Sequence, residues 1–158
     1  MFTDAMRLAP LDPTSPGAQA LIAQSEALMS ALYPSESNHF EPAAGLCPPH
    51  GAFWGCWAGD QLVGCGGVKH LDGYGEIKRL FVLDSARGCG VARQLMGRLE
   101  AELIERGVHL ARLETGIHQP EALGLYRRLG YVERGPFGSY ALDPLSVFFE
   151  KRLGPAAH

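Results

Sequence analysis

Two rhythms of hydrophobic positions run along this chain. From Pro16 to about residue 32, Leu21, Ile22, Leu28, Met29 and Leu32 recur at the three- and four-residue spacing of a helix. Ser15 ahead of them is a capping residue, and Pro16 fits the first turn, where a missing N–H costs nothing. Pro34 ends the helix. Residues 3–10 read as a weak first strand. Residues 34–50 carry four prolines and a polar run, Ser35 to Phe40, and read as a loop with at most one helical turn. Residues 51–58 and 61–70 then read as strands joined at Gly59-Asp60, a hairpin. Asp72-Gly73-Tyr74-Gly75 reads as a second turn, and residues 76–83 as a third strand. A loop over 84–90 opens a long helix with Ala92, Leu95, Met96, Leu99 and Leu103 on one face, stopped by Gly107. Val108–Thr115 is a strand. Residues 120–129 are a helix with a stripe of Ala122, Leu125, Tyr126 and Leu129, ended by Gly130. Residues 131–134 and 145–152 supply the last strands. The order β-α-β-β-β-α-β-α-β-β predicts a mixed sheet with helices on its faces.

Composition narrows the class. At 158 residues, with no repeat or linker, the chain is expected to be one domain over 1–158. Fourteen Lys and Arg against seventeen Asp and Glu give a net charge of −3, no footprint for nucleic acid. No apolar run reaches about 18 residues, so no membrane partner is expected. The N-terminus has no leader pattern, and a cytoplasmic location is expected. Cys47, Cys56, Cys65 and Cys89 form no CxxC pair and read as reduced thiols. His50, His70, His109, His118 and His158 have no metal-ligand spacing, so no metal is expected. Trp54 and Trp57, three apart in one strand, are expected on opposite faces of the sheet.

The stretch from Leu80 to Ala92 carries the most chemistry. A strand runs through Leu80, Phe81 and Val82 into a loop with Arg87, Gly88, Cys89 and Gly90, which opens a helix at Val91 and Ala92. Free N–H groups at such a helix start, with the helix dipole, make an anion site, and glycines allow a phosphate to approach the backbone. No Walker lysine follows, and the glycine spacing is not that of a dinucleotide fingerprint. Taken alone, the loop is equally a structural turn.

Arg87-Gly88-Cys89-Gly90-Val91-Ala92 resembles the Arg/Gln-x-x-Gly-x-Gly/Ala signature of the GNAT superfamily of N-acetyltransferases. Gln119-Pro120-Glu121-Ala122 through Leu125-Tyr126 to Gly130-Tyr131 resembles that family's second motif, with Gln119 where Asn is usual. The tail from Pro136 to Glu150 is similar to a small bacterial branch of undefined substrate. The resemblance implies an α/β (α+β) domain with the acyl-CoA N-acyltransferase fold, a mixed, mostly antiparallel central sheet flanked by helices. It implies acetyl-CoA as cosubstrate. The pyrophosphate would lie on the backbone of Arg87, Gly88, Cys89, Gly90, Val91 and Ala92, near Gln119. The pantetheine arm would run beside Leu80, Phe81 and Val82, where this strand and the one ending near Thr115 splay apart. Arg127 and Arg128, in a last helical turn, suit the helix dipole and need no ligand, or else one of them reaches a CoA phosphate.

Tyr126 is then the candidate general acid for the thiolate leaving group, although its stripe position also suits a core tyrosine. Glu76, eleven residues before Arg87, is the candidate base, or else a solvated carboxylate at a strand start. The acceptor, a primary amine on a small molecule, would be met by Tyr33, Ser37, Asn38, His39, Tyr74 and Tyr140, with Glu36 nearby. Direct attack in a ternary complex is the expected mechanism. An inactive acyl-CoA-binding sensor and a generic nucleotide-phosphate binder are the alternatives. The family likeness makes a homodimer an expectation too.

Overall fold

The computed structural model describes residues 5–154; His158 and the first two residues of the expected opening strand lie outside them. The elements are β1 (Met6–Pro10), α1 (Pro16–Leu32), β2 (Gly51–Ala58), β3 (Gln61–Leu71), β4 (Tyr74–Val82), α2 (Val91–Glu105), β5 (Leu110–Gly116), α3 (Pro120–Arg128), β6 (Val132–Arg134) and β7 (Ser146–Arg152). Ser15 caps α1 by accepting the Ala18 N–H through its hydroxyl oxygen. The 34–50 loop holds two short 3₁₀ turns, Ser35–Ser37 and Ala43–Leu46. β4 begins two residues earlier than its pattern predicts. Leu71 pairs with Tyr74, so the turn is only Asp72-Gly73, with Gly73 at φ +83°. Among the described residues no helix is long and apolar enough to cross a membrane.

The seven strands form one sheet in the order β1-β2-β3-β4-β5-β7-β6. β1 to β4 are an antiparallel meander, β4 and β5 are parallel, and β7 inserts antiparallel between β5 and β6. Strand pattern alone did not indicate that insertion. α1 covers one face, where Ala18, Leu21 and Ile22 pack with Leu46, Phe53 and Cys65. α2 and α3 cover the other, where Met96, Leu99, Leu103 and Tyr126 meet Val68, Ile77, Leu113 and Phe149. Trp54 packs on the α2 side, whereas Trp57 lies under the Arg7 guanidinium.

β4 and β5 pair only at Gly75–Ala111 and Glu76–Arg112. Past those two pairs the strands diverge. The cause lies in β4. Its register with β3 slips between Cys65 and Gly67, so that Arg79 and Leu80 together face Gly66. Arg79 sits at φ +60°. This is a β-bulge, which bends its strand and increases its twist. On the far side, the glycines of β3 let α2 come close.

A Cβ at Gly64 would lie 2.7 Å from Val91 Cγ1 and 3.2 Å from the Phe81 carbonyl oxygen. Gly64→Ala is therefore expected to lower stability by about 1–3 kcal/mol, the usual cost of overpacking. Urea unfolding measures it. An unchanged midpoint would mean that the start of α2 has room to move.

Candidate active site

The divergence of β4 and β5 opens a cleft of about 1140 Å³. Its floor is β4 from Ile77 to Val82 and β5 from Leu113 to Gly116. Its ends are the 83–93 loop and the 37–40 segment. Beyond Glu76 the edge of β4 that faces β5 has no strand partner. Buried backbone groups require partners, so this edge can take an extended ligand as an added strand.

At one end, Gly88 and Gly90 lie at φ +80° and +82°, with no atom within 4 Å of where a Cβ would stand. Gly90 caps α2 in the left-handed region, and no side chain caps that helix. The first-turn N–H groups of an α-helix have no intrahelical acceptors. The loop therefore offers donors, dipole and open space at one point, which suits a phosphate. Arg87 spans the mouth, 3.2 Å from Asp84 and 3.5 Å from Glu121. Gly88, Gly90, Val91 and Ala92 line the cleft and Cys89 does not; its thiol lies over the Arg87 carbonyl. Arg93 and Arg128 also line it, whereas Arg127 turns away to pair with Glu133.

Tyr126 projects from α3 into the middle of the cleft. Its ring packs on Tyr131 and Phe149, and its residue is only 7% exposed. Burial, and secondarily the Glu114 charge, raise its pKa, so the phenol stays protonated. Glu114 stands on β5 and also lines the cleft. Burial pushes its pKa up to about 7. The Ser146 hydroxyl, which donates to it at 2.8 Å, and the Lys78 ammonium oppose that rise, while the charges of Glu76 and Asp143 add to it. A proton donor and a carboxylate tuned near neutrality thus face one cleft. Glu114 was hidden in the sequence. The one available signal, a charged residue between buried Leu113 and Thr115, reads as the solvent-facing half of an alternating strand.

The other sequence-predicted residues separate into three groups. Leu80, Phe81, Val82, Ser37, Asn38 and His39 line the cleft. Tyr33 and Gln119 line it and bind each other. The Tyr33 hydroxyl accepts the His118 N–H at 3.0 Å and donates to Gln119 Oε1 at 3.3 Å, steadying the β5–α3 turn. The third group lies outside. Glu76 is 6% exposed and takes hydrogen bonds from the Tyr140 hydroxyl at 2.5 Å and Lys78 Nζ at 3.5 Å. Lys78 also donates to Tyr140 and to the His39 carbonyl. Glu76 and Tyr140 border a separate recess of about 220 Å³. Tyr74 lies at the paired end of β4, against Phe137 and under Arg112. Ser37 donates to Asp143 at 2.7 Å, tying the 35–37 turn to the loop before β7.

Comparison with known proteins identifies what this chain is similar to. Residues 21–131 match the model of the acetyltransferase (GNAT) family. An IAA acetyltransferase of Azospirillum brasilense is 42% identical over 136 residues, covering 84% of this chain and 88% of its own. A Klebsiella pneumoniae protein described as an acyl-CoA N-acyltransferase superposes with a TM-score of 0.82 at 36% identity, over 94% of this chain and 98% of its own. The PaiA N-acetyltransferase of Thermoplasma acidophilum, solved with coenzyme A, shares the fold, with a TM-score of 0.72 at 14% identity over 94% of this chain and 99% of its own.

The Glu114 environment has a consequence for stability. Its pKa is raised in the folded chain, so between about pH 4.5 and 7 the folded state holds more of this proton than the unfolded state. Its favourable contribution is therefore present at low pH and lost as pH rises through about 7. Glu114→Gln is expected to raise the urea midpoint relative to the parent chain at pH 8.5, and to lose that advantage by pH 4.5. Equal midpoints at both pH values would contradict the burial assigned to this carboxylate.

Proposed function

The chain belongs to the GNAT acetyltransferase family, and from that we propose that it moves the acetyl group of acetyl-CoA to the primary amine of a small molecule, by direct attack in a ternary complex. The observation that carries this reading is the unpartnered edge of β4. It runs from an open, glycine-flanked helix N-terminus to the Tyr126 phenol and the Glu114 carboxylate. Acetyl-CoA fits that path. Its pyrophosphate takes the N–H groups around Gly88 to Ala92, and its pantetheine amides pair along Leu80 to Val82. A β4 N–H near Leu80 or Phe81 then faces the thioester oxygen and stabilises its negative charge during attack.

The acceptor enters from the side of Tyr33, Ser37, Asn38 and His39. An amine arrives as ammonium. Glu114, rather than the enclosed Glu76, takes its proton. The free amine nitrogen bonds to the thioester carbon, and the tetrahedral adduct loses a second proton to water, because Glu114 already holds the first. The C–S bond breaks, Tyr126 protonates the departing thiolate and regains a proton from water, and Glu114 releases its own. One acetamide, one free thiol and one proton result.

Free-thiol release from acetyl-CoA across a panel of small amines and amino acids tests this. Release should depend on the acceptor. Tyr126→Phe should lower kcat by about ten- to a thousandfold, in the range of general-acid contributions, with little change in acetyl-CoA affinity. Glu114→Gln should lower kcat/KM by about a hundredfold or more near pH 7, less as pH approaches the amine's own pKa. Tight acetyl-CoA binding without release from any acceptor would favour a sensor.

Gly90→Glu should abolish acetyl-CoA binding by calorimetry, because it puts bulk, charge and a strained φ at the phosphate site. Normal affinity in the folded variant would overturn the pyrophosphate placement.

A further inference from the structure

Arg79 occupies a backbone position that favours glycine. Eight glycines adopt positive φ in the described residues, and Arg79 is the only other residue there that does. A left-handed arginine inside a strand is costly, and such positions persist where surrounding structure holds them. The side chain supplies that hold. Its guanidinium is 10% exposed and lies 5.0 Å from the Phe40 ring. Nη2 donates to Glu26 Oε2 at 2.7 Å and to the Glu41 carbonyl at 3.1 Å, and Nε donates to the same carbonyl at 3.3 Å. Glu26 belongs to α1, and Phe40 and Glu41 to the loop after it.

These contacts join three walls of one cleft. α1 contributes Gln24, Ser25 and Leu28, the loop contributes Asn38, His39 and Phe40, and the bulged strand contributes Lys78 to Phe81. Lys78 holds the loop at the His39 carbonyl, and Lys69 holds it at the Glu41 carboxylate. Arg79 alone among these also reaches α1. We infer that the Arg79 side chain is a positioning residue for the acceptor pocket: it fixes the 38–41 loop and α1 to the β4 bulge, and so sets the distance from the bound amine to the thioester. This rests on the acetyl-transfer reading for its kinetic consequence, but not for its structural one.

Arg79→Gly separates the two roles of the position, since glycine accepts φ +60° without strain and only the anchor is lost. In hydrogen exchange of the free chain, the amides of Ser37 and Asn38, which donate to the Pro34 and Ser35 carbonyls, should exchange about tenfold faster or more, while those of α2 and β5 stay unchanged. With the amine that gives the highest turnover in the panel, the acceptor KM should rise about tenfold or more, with acetyl-CoA affinity within about threefold of the parent. Unchanged exchange at Ser37 and Asn38, or an unchanged acceptor KM, would overturn the inference. Faster exchange throughout the chain, with both substrates weakened alike, would also overturn it, as the mark of a merely structural residue. If the parent chain transfers acetyl to no amine, the acetyl-transfer reading fails, and the exchange result still decides whether Arg79 anchors the loop.

Discussion

Backbone N–H and C=O groups inside a protein must find partners. Two adjacent parallel strands that pair at only two positions leave a run of such groups open in the middle of a sheet. The rest of the molecule is arranged around that opening. β1 to β3 and β7 brace the two strands from outside, and α2 and α3 close one face with a continuous apolar core. The bulge at Arg79, which takes β4 out of register with β3 and bends it, lies in the stretch where β4 and β5 no longer pair. The floor of the cleft is thus a property of the sheet, and Tyr126 and Glu114 are borne on α3 and β5.

Those side chains divide the work by environment. At the loop end, backbone donors and glycines without neighbours suit an anion. In the middle, burial keeps the Tyr126 phenol protonated and brings Glu114 near neutrality. Glu76 is buried as well, yet it is enclosed by Tyr140 and Lys78, and its charge acts on Glu114. Two glutamates on neighbouring strands therefore differ in environment: one is surrounded by donors and the other faces the cleft.

Much of this was legible in the residues. The helices follow from Ser15, Pro16 and the apolar stripes, and the anion loop from Gly88 and Gly90 ahead of a helix. The mostly antiparallel sheet and the family follow from two motifs in order. Other features depend on contacts distant in sequence. The return of β7 between β5 and β6 requires pairing that no local pattern encodes. Glu114 acquires its raised pKa from burial, with Glu76 and Asp143 adding to it and Ser146 and Lys78 opposing it, none of them near it along the chain. Tyr33 looks like a substrate contact in the sequence, but its hydroxyl is committed to His118 and Gln119 across 85 and 86 residues. Arg79 gives no sign of its left-handed backbone, because a bulge is a property of two strands together. Tyr74 reads as part of a turn in the sequence, but it opens β4, at the end where β4 and β5 still pair.

The central claim is that the opening between β4 and β5 is the seat of the acyl donor. Backbone amide NMR during titration with coenzyme A tests it most directly, because it needs no acceptor and no turnover. The account predicts that the amides of residues 80–82 and 88–92 shift together at one affinity, as pairing along β4 and phosphate capture at α2 occur in the same complex. Saturable binding that leaves both segments unmoved, or moves the second without the first, would contradict it.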